Sequence, residues 1–261
     1  AEEIFTYALR DMADQDGGFY CAEDADSEGE EGKFYVWSNN EIIKILGFEE
    51  GQRFIDIFGF KKEGNFHDEA TGELSSKNIP YLENKLSHYA KTNDLDIEEL
   101  KTTVEKNRST IFNKRKDRIH PLKDDKILTD WNGLMIAALA NGSKTLNKDI
   151  YMVAAKRAAD FILLKLRDNK GRLLKRYRNG LSGLQPHIDD YAFLIWGLLE
   201  IYESNFDISY LKSALDLSDI LVSDFLDKEA GGFYIGPENG EQLIIRAKDS
   251  YDGAIPSGNA V

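Results

Sequence analysis

The sequence predicts a mainly α fold, a toroid of helical hairpins in which inner helices are sheathed by outer helices, with short β-hairpins on one rim. Residues 187–202 predict an inner helix, because a polar start is followed by a run that is apolar on every face, which is typical of a helix surrounded by protein. Residues 209–226 predict an outer helix, since their apolar residues follow an i, i+3, i+4 spacing with charged residues off that stripe.

The same pair of helices recurs along the chain, which is why a ring of hairpins is expected. Residues 131–140 are apolar nearly all round, and residues 150–166 follow them as an amphipathic partner. The three unit starts, at Asp130, Asp189 and Pro256, are about 60 residues apart, which is the length of two helices and a connection. An α-solenoid and a plain helix bundle are the alternative packings.

Gly-started β-hairpins are expected to follow the outer helices. A helix from about Glu3 to Met12 opens the chain and precedes two short strands, 19–20 and 33–37. Residues 171–178 alternate at period two, and residues 230–234 and 242–246 repeat the pattern. Because two of these hairpins lead directly into inner helices, the hairpins and the inner-helix N-termini are expected on one rim, where a site would form.

A single toroid domain is expected over residues 1–261, with residues 38–116 as an insertion or an elaborated hairpin region outside the ring. Ser38 and Glu41 predict a capping box for a short helix there. Residues 52–58, 81–91 and 96–115 predict further helices. The chain opens with a helix already under way and ends at the start of another, so we expect it to be part of a longer protein.

Composition narrows the possible functions. The net charge of −13 disfavours nucleic acid as a partner. No apolar run approaches the roughly 20 residues that span a bilayer, so no membrane association is expected. The single cysteine, Cys21, fits a reducing, cytoplasmic compartment. The sequence has no paired Cys/His spacing, no Gly-rich phosphate loop and no nucleophile-elbow serine, so no metal and no cofactor are predicted.

The acidic segment 23–31 has three interpretations. Asp24, Asp26 and Glu28 match the first half of a calcium loop, but Tyr35 stands at the twelfth position, where the loop needs a bidentate Glu. A solvated acidic turn is the main alternative. The third possibility is that Asp24 or Asp26 faces the mouth of the ring and contacts a ligand.

Carboxylates open the predicted inner helices and are the candidate catalytic groups. Asp130, Asp189 and Asp190 could act as helix caps. Capping does not explain an Asp pair that follows His187 and precedes Tyr191 at the mouth of a buried helix. Two carboxylates whose pKa values are moved apart would suit general acid and base work on a glycosidic bond.

Other residues near these helix starts could complete a site. His187 is the histidine at the predicted rim, and a sugar epimerase needs two proton-transfer groups on opposite faces of its substrate. Trp131, Tyr191 and Trp37 could stack on sugar faces, although core packing is the commoner role of such residues. The turn-then-helix segment 252–259 offers free N–H groups to an anionic or hydroxyl-rich ligand, unless Ser257 caps them.

Four segments carry a resemblance to a known family: AEDADSEGEEGKFYVW (22–37), DDKILTDWNGLMIAALA (124–140), DDYAFLIWGLLEIYE (189–203) and DGAIPSGNAV (252–261). In this order they resemble the spermatogenesis-associated, thioredoxin-domain-containing family of largely uncharacterised proteins. The resemblance implies an incomplete (α/α)6 toroid, similar to six-hairpin glycosidases and N-acylglucosamine 2-epimerases. It also implies a thioredoxin-like N-terminal domain and last hairpins that this chain lacks, and it settles no reaction.

Two hypotheses about function remain. The first is an enzyme, or a former enzyme, that processes a carbohydrate-like ligand at the rim. The second is a non-catalytic binding module or scaffold that works with the thioredoxin-like domain of the same full-length chain. The candidate catalytic residues are Asp189, Asp190, Asp130 and His187, and the candidate ligand-binding residues are Asp24, Asp26, Trp131, Asn132, Tyr191, Asp252, Ser257 and Asn259.

Overall fold

The computed structural model describes residues 1–67, 72, 74–241 and 244–261, and the chain divides into two compact units. Unit 1 comprises residues 1–22 and 124–261, and unit 2 comprises residues 23–123. Each unit has its own cluster of buried apolar side chains. Unit 2 is therefore one continuous stretch set into the sequence of unit 1, and it encloses the predicted insertion 38–116.

The structure confirms the predicted mainly α class with helical hairpins and short antiparallel strands. In chain order the helices are α1 (Glu2–Tyr7, continued as a π-helix over Ala8–Met12), α2 (Asn39–Leu46), α3 (Phe48–Ile57), α4 (Leu86–Thr92), α5 (Ile97–Arg115), α6 (Thr129–Leu146), α7 (Asp149–Lys165), α8 (Ile188–Asn205) and α9 (Ile208–Phe225). The strands are β1 (Tyr20–Glu23), β2 (Asp26–Ser27), β3 (Glu30–Glu31), β4 (Lys123–Leu128), β5 (Arg176–Arg178) and β6 (Leu181–Gly183).

Two predicted inner–outer pairs are present in unit 1 as the hairpins α6–α7 and α8–α9. The inner helices α6 and α8 pack directly on each other through small residues. A Cβ added at Gly133 would lie 2.4 Å from the backbone carbon of Phe193, and one added at Gly197 would lie 2.8 Å from the carbonyl oxygen of Gly133. Ile136 and Leu194 are fully buried in the same core.

The inner helices are not buried on every side, which corrects the expectation drawn from residues 187–202. Trp196 of α8 is 37% exposed and donates from Nε1 to Glu200 at 3.2 Å. Trp131 at the start of α6 is 47% exposed. The neighbouring elements in the described chain do not cover every face of these apolar helices, so one face is open to solvent.

Four of the strands form a sheet in the order β1-β4-β5-β6, with β4–β5 and β5–β6 antiparallel. The predicted strand 171–178 contains β5 at its end, and before it Leu173 forms an isolated bridge with Arg167. Strand β4 was not predicted, and it continues directly into α6. The sheet therefore sets the N-terminal end of an inner helix next to the hairpins.

The predicted strand 33–37 is wrong. Residues 32–35 form a turn, and Trp37 makes an isolated bridge to Asn78. Arg118 explains the difference, since its Nη1 donates to the carbonyl oxygens of Phe34 and Val36 at 2.9 and 2.8 Å. These bonds come from a residue distant in sequence, so period-two alternation did not reveal them.

The last predicted hairpin also differs from the structure. Residues 230–234 contribute one bridge, from Phe233 to Leu226, and residues 244–246 are not in a strand. Residues 242 and 243 of the predicted strand lie outside the described residues. Residues 258–260 form a turn in which the Ser257 carbonyl accepts the N–H groups of Ala260 at 2.9 Å and Val261 at 3.4 Å, as in a first helical turn, so the start of a third inner helix stays a prediction.

Unit 2 contains the helices α2 to α5. The predicted capping box is confirmed, because Glu41 N–H donates to Ser38 Oγ at 3.3 Å and Ser38 N–H donates to Glu41 Oε2 at 2.8 Å. Its core includes Trp37, Ile42 and Phe54. Across the described ranges, no helix combines the length and the apolar character needed to cross a bilayer.

Candidate ligand site at the inner-helix N-termini

Three loops of unit 1 have one local design, and each follows a helix. In each loop an Asp main-chain N–H donates to a carbonyl four or five residues on: Asp14 to Gly18, Asp168 to Arg172 and Asp227 to Gly232, at 2.7 to 2.9 Å. The same Asp carboxylate then accepts a main-chain N–H two residues on. Each loop also holds a glycine with positive φ, the conformation that glycine adopts without strain. The local sequence therefore fixes all three turns.

A polar side chain near each inner-helix start holds one of these loops. Asn132 Oδ1 accepts from Phe19 N–H at 2.7 Å, and its Nδ2 donates to the Phe19 carbonyl at 3.0 Å. Asn259 makes the same pair of bonds with Phe233, at 2.8 and 2.9 Å. Tyr191 accepts from Leu173 N–H at 3.0 Å. These three predicted ligand-binding side chains thus position the loops in the structure.

Asp130 and Asp190 meet at the N-terminal end of α6 and share Lys175. The Lys175 ammonium lies 2.8 Å from Asp130 Oδ2 and 3.4 Å from Asp190 Oδ2. Asp190 is fully buried, and its carboxylate also accepts the N–H groups of Asp130 at 3.0 Å and His187 at 2.7 Å. Both carboxylate oxygens of Asp190 therefore have partners within the protein.

The pKa of Asp190 reflects this burial. Removal from water raises its pKa to about 7, and the negative charge of Asp130 adds to the rise against the opposing charge of Lys175. The pKa of Lys175 is also raised, because the neighbouring Asp190 and Asp130 carboxylates outweigh the effect of its own burial. Lys175 was not singled out as a site residue in the sequence. Its place two residues after Leu173 in an alternating segment was the available signal.

Asp189 and His187 are the accessible titratable groups of this cluster. Asp189 is partly buried, and its Oδ1 accepts the Gly258 N–H at 2.8 Å. Burial raises the pKa of Asp189, and the charge of Asp130 acts in the same direction. The imidazole of His187 has a lowered pKa, through its own burial and then the charge of Lys175. Both shifts favour the neutral forms.

The segment 252–259 lies beside Asp189. Asp252 Oδ1 accepts the Ser257 N–H at 2.9 Å, which closes the turn before the Gly258 contact. Ser257 is 5% exposed, and its hydroxyl oxygen has no hydrogen-bond partner within the described ranges. The turn therefore presents one buried hydroxyl close to the Asp189 contact.

Asp24 and Asp26 belong to unit 2. Both are exposed, and Asp26 N–H donates to Asp24 Oδ1 at 3.0 Å. Asp26 also pairs with Glu31 in the small β2–β3 ladder. In the ranges that the structure describes, no three His, Cys, Asp or Glu side chains are arranged to hold a metal ion. The residues that the structure brings together at one place are Asp130, Lys175, His187, Asp189 and Asp190.

Comparison with known proteins gives homologues and distant structural neighbours, whereas no family model matches the chain. The chain is 33% identical to human (Homo sapiens) spermatogenesis-associated protein 20 over 288 residues, which cover 100% of this chain and 37% of the human protein. The chain thus spans about a third of the length of this curated relative.

Two similar solved structures are sugar epimerases. Cellobiose 2-epimerase from Spirochaeta thermophila has a TM-score of 0.40 and 18% identity, with 42% of this chain and 28% of that chain covered. Cellobiose 2-epimerase from Bacillus thermoamylovorans has a TM-score of 0.41 and 10% identity, with 90% of this chain and 58% of that chain covered.

Proposed function

This chain belongs to the family of spermatogenesis-associated protein 20, to which it is homologous over its full length, and we propose that its unit 1 binds a carbohydrate-like ligand at the start of α8. Asp189 and His187 then exchange protons with that ligand. The proposal concerns only the region that this chain covers, because the human relative is much longer.

The observation that carries the proposal is the position of Asp189 and His187, which stay accessible at the start of α8 while Gly258 N–H holds Asp189 Oδ1 at 2.8 Å, and the directions of their pKa shifts support it. A carboxyl group with a raised pKa keeps its proton closer to neutral pH and can donate it, and an imidazole with a lowered pKa stays neutral and can accept one. Titratable groups whose pKa values are moved in this way are a common feature of acid–base sites.

Asp130 and Asp190 have a different role in the proposal. Their oxygens are occupied by Lys175 and by main-chain N–H groups, and Asp190 has no exposed surface. They therefore act as positioning residues that fix the start of α6 against the start of α8. Because only one accessible carboxylate, that of Asp189, is left in the cluster, proton transfer to and from a sugar, as in an epimerase, is favoured over glycoside hydrolysis by two open carboxylates.

Trp131 supports a hydroxylated ring as the ligand. Its indole is 47% exposed at the first turn of α6, directly after Asp130. An exposed aromatic face beside hydrogen-bonding groups suits a sugar, which presents apolar C–H faces and hydroxyl edges. The Ser257 hydroxyl, which has no partner in the described ranges, is a further candidate contact.

The test uses reducing mono- and disaccharides with Asp189→Asn and His187→Gln. The asparagine side chain would keep an oxygen for the Gly258 N–H and remove the titratable proton, so folding should be preserved. Binding is measured by calorimetry, and proton transfer by the entry of solvent deuterium at the carbon next to the sugar carbonyl. Lys212→Gln, on an exposed part of α9, is the matched control.

We expect both variants to lose deuterium exchange at least about tenfold while the control keeps it, which corresponds to about 1.4 kcal/mol. Exchange that is equal in all four proteins would overturn the acid–base assignment. A wild-type protein that binds no saccharide would overturn the ligand class.

A scaffold is the second candidate function, and the exposed indoles of Trp131 and Trp196 favour it. Apolar surface left open on a soluble protein often marks a protein interface. The proposed partner is the thioredoxin-like domain expected in the full-length chain. Trp196→Ser should then weaken binding of the separately purified domain, measured by calorimetry, and leave any saccharide affinity unchanged.

A further inference from the structure

The second of the three loops departs from the other two at several positions, and two of them, Arg172 and Leu174, change its hydrogen bonding. The loop sequences are DQDGGFY (14–20), DNKGRLL (168–174) and DKEAGGFY (227–234). Where the first and third loops have a glycine, the second has Arg172. Where they have a tyrosine, the second has Leu174. The second loop therefore keeps the same turn but presents different polar groups at these two positions.

The tyrosine closes its loop in the first and third cases. Tyr20 donates to Asp14 Oδ2 at 2.7 Å, and Tyr234 donates to Asp227 Oδ2 at 2.9 Å. Leu174 has no hydroxyl group to do the same. Asp168 uses Oδ1 for the N–H groups of Lys170 and Arg172, and no described residue donates to its Oδ2. The second loop thus has an open carboxylate oxygen.

Arg172 adds a guanidinium group, held by Asp224, to the same cavity that Asp168 lines. Its Nε donates to Asp224 Oδ2 at 2.8 Å, and Asp224 is 9% exposed. The two Nη groups of Arg172 have no hydrogen-bond partner among the described side chains and carbonyls. The Lys170 ammonium likewise has no ion pair within the described ranges. Asp224 therefore orients a guanidinium fork whose remaining donors are available.

These groups line a cavity of about 330 Å³, which is in the size range of small-molecule sites. Asp168, Lys170, Arg172 and Asp224 provide its charges, and Leu173 and Phe225 provide part of its apolar wall. An adjoining cavity of about 290 Å³ has Lys170, Arg172, Asp224 and also Asp219 in its lining. The first cavity therefore combines two cations, two carboxylates and an apolar surface.

We propose that this cavity binds a small zwitterion of the α-amino acid type with an apolar side chain. Its carboxylate accepts from the Nη groups of Arg172 and from Lys170, and its ammonium donates to Asp168 Oδ2. A planar guanidinium matches a carboxylate through two parallel hydrogen bonds. The inference is independent of the function proposed at Asp189.

Charge balance favours a zwitterion over an ion of one sign. A dianion such as phosphate would face Asp168 and Asp224, and a simple amine would face Lys170 and Arg172. Like charges that are forced together in a partly enclosed site oppose binding. A molecule with one positive and one negative group leaves the net charge of the cavity unchanged.

The experiment measures binding of L-leucine and L-phenylalanine by calorimetry and by the shift in melting temperature. N-acetyl-leucine, which lacks the ammonium, and isoamylamine, which lacks the carboxylate, are the matched probes. We expect both probes to bind at least about tenfold more weakly than the amino acids. Equal binding of the amino acids and either probe would overturn the proposal, and so would absence of amino acid binding up to about 10 mM.

Two variants test the assignment of the groups. Leu174→Tyr restores the residue of the other two loops, so its hydroxyl should occupy Asp168 Oδ2 and abolish binding without lowering the melting temperature. Arg172→Gln removes the guanidinium donors for the ligand carboxylate, so it should weaken amino acid binding. Lys212→Gln and Asp189→Asn should leave amino acid affinity unchanged, and a loss of affinity in Asp189→Asn would show that the two sites are not separate.

Circular dichroism identifies any variant that fails to fold. If Arg172→Gln is destabilised, Leu174→Tyr still decides the question, because it adds a hydrogen bond instead of removing one. Full amino acid affinity in a folded Leu174→Tyr protein would contradict the role of Asp168.

Discussion

Asp189 and Asp190 are adjacent in sequence, and their carboxylates serve different neighbours. Asp190 accepts the N–H of Asp130 at the start of α6, and Asp189 accepts the N–H of Gly258. Such bonds satisfy main-chain donors that a helix or a turn leaves without an internal partner. The capping explanation considered for these residues therefore holds between elements, not within α8 alone. It leaves Asp189, which is the more accessible of the two, for the proposed chemistry.

Asp190 gives unit 1 a pH dependence that can be measured. Its native pKa is raised to about 7 from an ordinary value of 3.8, so the folded state holds this proton more tightly than the unfolded chain does. Its contribution to the free energy of unfolding is therefore largest below about pH 4 and is lost as the pH rises to about 7. Asp189, whose pKa is also raised, contributes in the same direction.

The measurement is urea unfolding at steps between about pH 4 and about pH 7, for the wild type and for Asp190→Asn. The difference in free energy of unfolding between the two proteins should change across this window, since the variant has no proton to lose. A difference that is constant with pH would contradict the raised pKa. Lys212→Gln should follow the wild type.

At the scale of elements, the contact between α6 and α8 depends on glycine. Gly133 and Gly197 face the partner helix, where an added Cβ would meet backbone atoms. Backbone cannot rotate away as a flexible side chain can. The repeat of apolar segments in the sequence indicated that these helices are neighbours. It did not indicate how close they are, because the spacing depends on which glycines meet.

We predict that Gly133→Ala destabilises unit 1 although alanine favours helix formation. The added methyl group must displace the backbone of α8, and overpacking of this kind costs about 1–3 kcal/mol. Chemical denaturation measures the change. Ala138→Ser, on the exposed side of the same helix, is the control and should change the free energy of unfolding by less than about 0.5 kcal/mol. An equally stable Gly133→Ala would mean that the helices separate without cost.

For the whole molecule, the division into units follows the position of the cores. Unit 2 is continuous, and its first and last residues are close, since Asp24 N–H donates to the Leu122 carbonyl at 2.8 Å. A segment whose ends meet can be inserted into a fold or removed from it without disturbing the flanking strands. Residues 38–116 were expected as an insertion from their departure from the repeat.

We predict that replacing residues 25–121 by a short Gly/Ser turn leaves unit 1 folded. The hydrophobic cluster of unit 1 contains no residue of the deleted segment, so its packing should persist. Near-ultraviolet circular dichroism and a single cooperative thermal transition are the measurements. A molten or aggregated product would show that unit 1 needs unit 2 for stability.

The sequence by itself determined the helices, their pairing into hairpins and the acidic residues at the inner-helix starts. Apolar periodicity and capping residues are local signals, and they favour a helix whatever tertiary contacts the chain then makes. Only the tertiary structure decided which carboxylates are sealed, because the burial of Asp190 depends on Lys175 and on the N–H of Asp130, and these groups are distant in sequence. The turn at residues 32–35, held by Arg118, was decided in the same way. Hydrogen bonds between distant residues do not appear in a local pattern.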